Sequence, residues 1–158
     1  MLRDDISFEL DSSIISWRTA ALINDGKRIL LQRKINDASL APIGGRVKVG
    51  ETFEKALRRE IKEEINLNLK IDRLLFVIEN FAVIDSKRYQ EISFIYNIII
   101  DNKEFKYYQD MFVIDGIEFV WVKISDLYSN KISLKPEILN TLTNLFPNDI
   151  VHLINNDS

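Results

Sequence analysis

Hydrophobic and polar positions change rhythm several times along the chain, and each change marks an element. Residues 14–24 and 27–33 are rich in aliphatic and β-branched side chains around Asp25-Gly26, a pair that tolerates the positive φ of a two-residue turn. An antiparallel hairpin is expected there. A polar connection over 34–42 ends at Pro42, and Gly44, Gly45 and Gly50 then crowd into seven residues, which predicts a tightly bent loop. From Phe53 the apolar spacing becomes helical. Thr52 suits the N-cap of a helix running to about Ile65, and Asn66, which tolerates the left-handed region, suits its end. Two β-rich runs, about 69–84 and 90–101, flank Asp85-Ser86-Lys87 and predict a second antiparallel pair. Residues 102–117 are polar and aromatic without clear period, and 118–123 read as a strand. Pro136 suits the first position of a final helix over about 136–145, with Pro147 ending it. This order of elements predicts an α/β fold, a sandwich around a mixed β-sheet.

The helix at 53–65 breaks the usual pattern of a surface helix. At roughly 100° per residue from Glu60, the apolar Phe53, Ala56, Leu57 and Ile61 lie between about −40° and +100°. Glu64, near +40°, falls inside that arc and Glu63, near −60°, at its edge, whereas Lys55, Arg58, Arg59 and Lys62 take the opposite side. Carboxylates turned toward protein must be protonated, paired or bound to a metal to offset their lost hydration. Like charges three and four residues apart also cost about 0.2–0.5 kcal/mol per pair in an isolated helix. A divalent cation resolves the conflict economically. Oxygen ligands without nearby His or Cys suit hard ions, above all Mg²⁺, with Mn²⁺ as a substitute. Such an ion can neutralise a diphosphate and lower the pKa of an attacking water, which implies phosphoryl or nucleotidyl transfer to water.

Composition narrows the setting. A chain of 158 residues fits one domain, residues 1–158, able to bury a sizeable core. The absence of cysteine excludes disulfides, thiol catalysis and cysteine-ligated zinc. No apolar run approaches the roughly 20 residues of a membrane helix, and acids at Asp4 and Asp5 argue against a secretory leader, so no membrane is expected and a cytoplasmic location is the default. A net charge of −3 argues against a nucleic-acid partner held by its phosphate backbone. The lone His152 reads as a packed side chain, and the apolar tail 150–154 suits either a homodimer contact or packing on the chain's own sheet.

Residues 45–67 resemble the signature of the Nudix hydrolase family, Gly-x5-Glu-x7-Arg-Glu-U-x-Glu-Glu-x-Gly-U with U a bulky aliphatic residue. Gly45, Glu51, Arg59, Glu60, Ile61, Glu63, Glu64 and Leu67 fall in place, and only Asn66 departs, at the second glycine. Chance alone gives such a match roughly once in a million chains of this length. Leu30 to Arg33, Pro42 to Arg46 and Trp121 to Leu127 are similar to flanking parts of MutT-like members, so the resemblance covers about 16–142. It implies a Nudix-type α/β/α sandwich and a metal-dependent hydrolase that cleaves a diphosphate bond in a nucleoside diphosphate linked to another moiety. The alternative is a non-catalytic Nudix-fold module that binds a nucleotide metabolite. The resemblance further implies that Glu60, Glu63 and Glu64 hold the metal, that Gly45 lets backbone approach metal or phosphate, that Arg59 orients the acids, and that Glu51 holds the loop to the helix. Glu91 is the first candidate for an additional acid from outside the box, with Glu118 and Asp115 behind it. Arg18, Arg33, Gly44, Gly45 and Arg46 are the candidate substrate contacts, the arginines through bidentate hydrogen bonds to phosphate.

Overall fold

Strand β2 (Ser13–Asn24) organises the molecule because both of its edges are used along its length. The computed structural model describes residues 4–101, 105 and 109–157. Before β2 lies β1 (Ser7–Leu10), and after it come β3 (Arg28–Lys34), β4 (Ile43–Arg46), the helix α1 (Phe53–Ile65), β5 (Arg73–Ile84) and β6 (Lys87–Ile99). The chain continues through β7 (Met111–Ile114), β8 (Ile117–Lys123), the short helix α2 (Ile124–Tyr128), a 3₁₀ turn (Glu137–Thr141) and β9 (Val151–Asp157). Among the described residues these strands form one mixed sheet in the order β7-β8-β3-β2-β6-β5-β9, with β1 and β4 also paired to β2.

The expected hairpin of β2 and β3 is only partly formed. Its antiparallel register covers Ile23↔Leu30 and Asn24↔Ile29, after which β4 replaces β3 along β2, from Arg18↔Arg46 to Ala21↔Ile43. Further back, β1 takes the same edge from Ser7↔Ser16 to Leu10↔Ser13, while β6 runs parallel along the other edge. Strand β3 leaves β2 and pairs with β8 over its whole length. The second expected pair is formed by β5 and β6, and Asp85 and Ser86 at their turn both have positive φ, as a two-residue hairpin turn requires.

Two hydrophobic clusters lie on opposite faces of the sheet, which gives the α/β/α layering. Leu57, Ile61 and Ile65 of α1 pack with Ala21, Ile23, Leu30 and Ile43. On the other face Leu127, Leu134, Leu139 and Leu145 pack with Leu22, Leu75, Phe76 and Ile78. The final helix expected over 136–145 is not formed; residues Glu137–Thr141 make one 3₁₀ turn, and Leu142 is already extended. Asn140 explains this, because its side chain bonds both the N–H and the carbonyl of Leu134 and offers the backbone an alternative to helix. Part of the aperiodic stretch 102–117 lies outside the described residues, but its end forms β7. The tail 150–154 enters β9 and pairs parallel with β5, on the chain's own sheet. His152 is exposed rather than packed, with its Nε2 2.7 Å from Glu79 Oε2.

Candidate active site

Helix α1 begins and ends where its caps dictate. Thr52 Oγ1 accepts the Lys55 N–H at 3.2 Å, and Asn66 stops the helix in the left-handed region at φ 55°. The wheel reading holds for the acids: Glu60 and Glu64 are half-buried beside Ala56, Leu57 and Ile61, and Glu63 is exposed. It fails for Arg59, expected on the outer side but folded back against the loop before the helix, with its side chain only 20% exposed. There Arg59 Nε donates to Glu51 Oε1 at 2.7 Å, and Nη2 donates to Glu51 Oε2 at 3.0 Å and to the Arg46 carbonyl at 2.9 Å. Its Nη1 donates to Glu60 Oε1 at 2.6 Å and to Glu63 Oε2 at 3.2 Å. Glu51 also accepts the Lys48 N–H at 3.0 Å, which fastens the loop to the helix. The bonds from Arg59 hold the Glu51 carboxyl below its usual range, and those same acids raise the Arg59 guanidinium.

Gly45 makes room for a side chain of this group. A Cβ there would lie 2.3 Å from Glu60 Cδ, so the missing side chain lets the carboxylate lie on the strand. At Gly44 a Cβ would lie 2.0 Å from the Thr19 carbonyl oxygen, so this glycine permits the pairing of β4 with β2.

Glu64 differs from its neighbours. Its Oε2 is buried without a hydrogen-bond partner, and burial, reinforced by Glu60 and Glu63, pushes the carboxyl up to about 7 against the opposing pull of Arg18. Carboxylate oxygens alone, one of them buried and unpaired, are a donor set that fits a hard divalent cation. No three acidic or His side chains are drawn to a common point among the described residues, and Glu60 and Glu63 are both turned to Arg59.

Two hollows adjoin here, and Glu64 borders the smaller of them. One, of about 590 Å³, is lined by Glu64, Gly44, Arg33 and Gln32; the other, of about 770 Å³, by Glu91, Asn80, Ser93 and Asn155. Arg18, Ala41 and Lys135 line both and form their seam. Arg18, Arg33 and Gly44 therefore meet at one cleft. Arg33 is also paired with Glu118 at 2.7 Å, which occupies one of the candidate acids. Asp115 sits in the β7–β8 turn with positive φ. Arg46 lines a separate hollow of about 260 Å³ with Asp5 and Glu9, and its Nε is buried without a partner. Glu91 stands in the larger hollow, bonded to Ser16 and Asn80 and not gathered with the α1 acids. Lys135, Asn80, Ser16 and Asn155 were not anticipated. Glu79-Asn80, a polar interruption in the apolar run of β5, was a usable signal for Asn80, whereas nothing local marks the other three.

Comparison with known proteins bears on the family and the fold. The NUDIX domain family profile matches residues 16–145. No curated protein sequence matches the chain. Among solved structures, the chain is similar to a MutT NUDIX hydrolase from Burkholderia pseudomallei, at TM-score 0.61 and 20% identity, covering 82% of this chain and 98% of that one. It is also similar to a mutator MutT protein from Bacillus halodurans, at TM-score 0.60 and 14% identity over 87% and 86% of the two chains. A third similar fold is an ADP-ribose pyrophosphatase from Streptococcus suis, at TM-score 0.53 and 15% identity over 89% and 98%. At these identities the structures speak for the fold alone, but the profile spans most of the chain, and the protein belongs to the Nudix hydrolase family.

Proposed function

We propose that this protein is a metal-dependent hydrolase that cleaves a diphosphate bond in a nucleoside diphosphate linked to another moiety. The observation that carries this reading is Glu64, whose buried, unpaired oxygen borders a cleft that also presents the guanidinium of Arg18. In this reading Glu60, Glu63 and Glu64 hold Mg²⁺, or Mn²⁺ in its place. The bound ion would neutralise the diphosphate and make water a stronger nucleophile at neutral pH. Arg59 positions Glu60 and Glu63, Glu51 anchors Arg59, and Gly45 leaves the space that Glu60 occupies. Arg18 and Lys135 stand at the seam where a diphosphate bridges the two hollows, with Arg33 on the Glu64 side. Cationic side chains there orient phosphate oxygens and offset their charge.

Glu64→Gln tests the assignment. Amide for carboxylate preserves shape, so the variant folds, and Mg²⁺-dependent product release from a panel of nucleoside diphosphate derivatives falls by about two orders of magnitude or more. Turnover like that of the unmodified protein would overturn the reading. Binding of a nucleotide by the unmodified protein without any product release would support a module that only binds.

A further inference from the structure

The larger hollow carries a directional feature that the hydrolytic reading does not use. Ser16, Glu91, Asn80 and Asn155 occupy successive register positions on β2, β6, β5 and β9, which places their side chains in a row on one face of the sheet. The Ile138 N–H donates to Asn155 Oδ1 at 2.9 Å, Asn155 Nδ2 donates to Asn80 Oδ1 at 2.6 Å, and Asn80 Nδ2 donates to Glu91 Oε1 at 3.4 Å. From the other side, Ser16 Oγ donates to Glu91 Oε2 at 2.8 Å. A main-chain N–H can only donate, so Ile138 fixes the orientation of the Asn155 amide and, through it, that of Asn80. Every bond in the row therefore points toward Glu91.

The row ends in a group that accepts and does not donate. A carboxylate has roughly four acceptor positions; the protein supplies one bond to each oxygen, and the bond from Asn80 is long. Capacity remains for a ligand, and Glu91 lines the hollow in which that ligand would sit. The walls around it include Ala20, Ala82, Ile95, Pro42 and Pro136, which suit the faces of a flat ring system, while Arg18 and Lys135 are at the seam with the smaller hollow. A ligand that matches presents two adjacent donors to the two carboxylate oxygens; a flat ring held between these walls does so through N–H groups, in the fork geometry that makes guanidinium a good carboxylate partner, whereas a ribose diol donating instead would leave all bases equally used. Of the common nucleobases, guanine does this with N1–H and its 2-amino group. Adenine and cytosine set one amino group beside an acceptor nitrogen, and uracil sets one N–H between two carbonyls.

We infer that Glu91 is a specificity residue that reads the base of the substrate, and that this base is a 2-amino-6-oxopurine, guanine or a derivative with the same edge. The inference rests on the hydrolase reading for the position of the phosphates, and it moves Glu91 from chemistry to recognition. It is tested by measuring kcat and KM with Mg²⁺ for GTP, ITP and ATP and for GDP-glucose and ADP-glucose. ITP lacks the 2-amino donor and isolates its contribution. The expected order is GTP above ITP above ATP in kcat/KM, with GTP favoured over ATP by about tenfold or more. Glu91→Gln raises KM for GTP and shrinks the GTP to ATP ratio. Equal use of guanine and adenine nucleotides by the unmodified protein overturns the inference while leaving the hydrolase reading intact. A uniform fall in kcat on every substrate in Glu91→Gln also overturns it, by returning Glu91 to the chemistry. If no nucleotide is hydrolysed, the hydrolase reading fails instead. Equilibrium binding of GDP against ADP then decides the base: tighter GDP binding supports the inference, and equal binding rejects it.

Discussion

Arg59 and Glu51 show how one ion pair can serve both stability and site geometry. The pair is half-buried and bidentate, the form in which an ion pair contributes most reliably. Because the Arg59 hydrogen bonds lower the folded-state pKa of Glu51 from 4.5, its contribution is fully present above that value and is lost as pH falls through the depressed one. Glu51→Gln is therefore less stable at neutral pH, and its melting temperature falls less steeply on acidification, so that the two curves converge in acid. Thermal unfolding followed from pH 7 to pH 3 checks this, and parallel curves would refute it. The spacing of Glu51 and Arg59 in the signature was legible in the sequence, as was the inward direction of Glu60 and Glu64. The inward turn of Arg59 was legible only through the family resemblance, which has it orient the acids; the helical wheel placed it outward because the wheel does not represent the loop against which it folds.

At the scale of elements, legibility follows the range of the interactions that define each one. Helix α1 was readable at both ends because its caps are local, Thr52 at one end and Asn66 at the other. Asn66 stands where the signature has glycine, and its φ of 55° is the reason either residue serves. Asn66→Ala should cost about 1 kcal/mol, since alanine enters the left-handed region less readily, whereas Asn66→Gly should be nearly neutral. Denaturant unfolding of the two variants measures the difference, and equal losses would show that the cap is not the cause. The final helix was misread because Pro136 is a permissive start, while the competition of Asn140 for the Leu134 backbone became visible only in three dimensions. Strand β7 was missed although Asp115-Gly116, both at positive φ, repeats the Asp-Gly pair of residues 25–26. The aromatic residues around it obscured the period.

The cleft was the least legible part, because it is a product of the whole molecule. Ser16, Glu91 and Asn155 meet through strand registers that join distant segments, one of them the parallel pairing of β5 with β9. Strand β9 thus holds Asn80 in place as well as covering the edge of β5. Removing residues 150–158 should uncover that edge and lower the melting temperature by more than about 10 °C, with aggregation on heating. A melting temperature within a few degrees of the original would show that β9 is dispensable.

Strand β2 has a consequence for how such a protein can change over time. One of its edges is divided among β1, β4 and β3, and the other belongs wholly to β6. Losing or gaining one residue within β2 would send Arg18 to the α1 side and disturb all four pairings at once, since side chains alternate with a period of two. The connection over 35–42 and the stretch 129–136 border the same cleft and pair away from β2, through the bridges Gln32↔Ala41 and Leu40↔Leu134, so insertions between those bridges leave the β2 register in place. New substrates are therefore more accessible to variants with insertions in these two connections, while the length of β2 stays invariant.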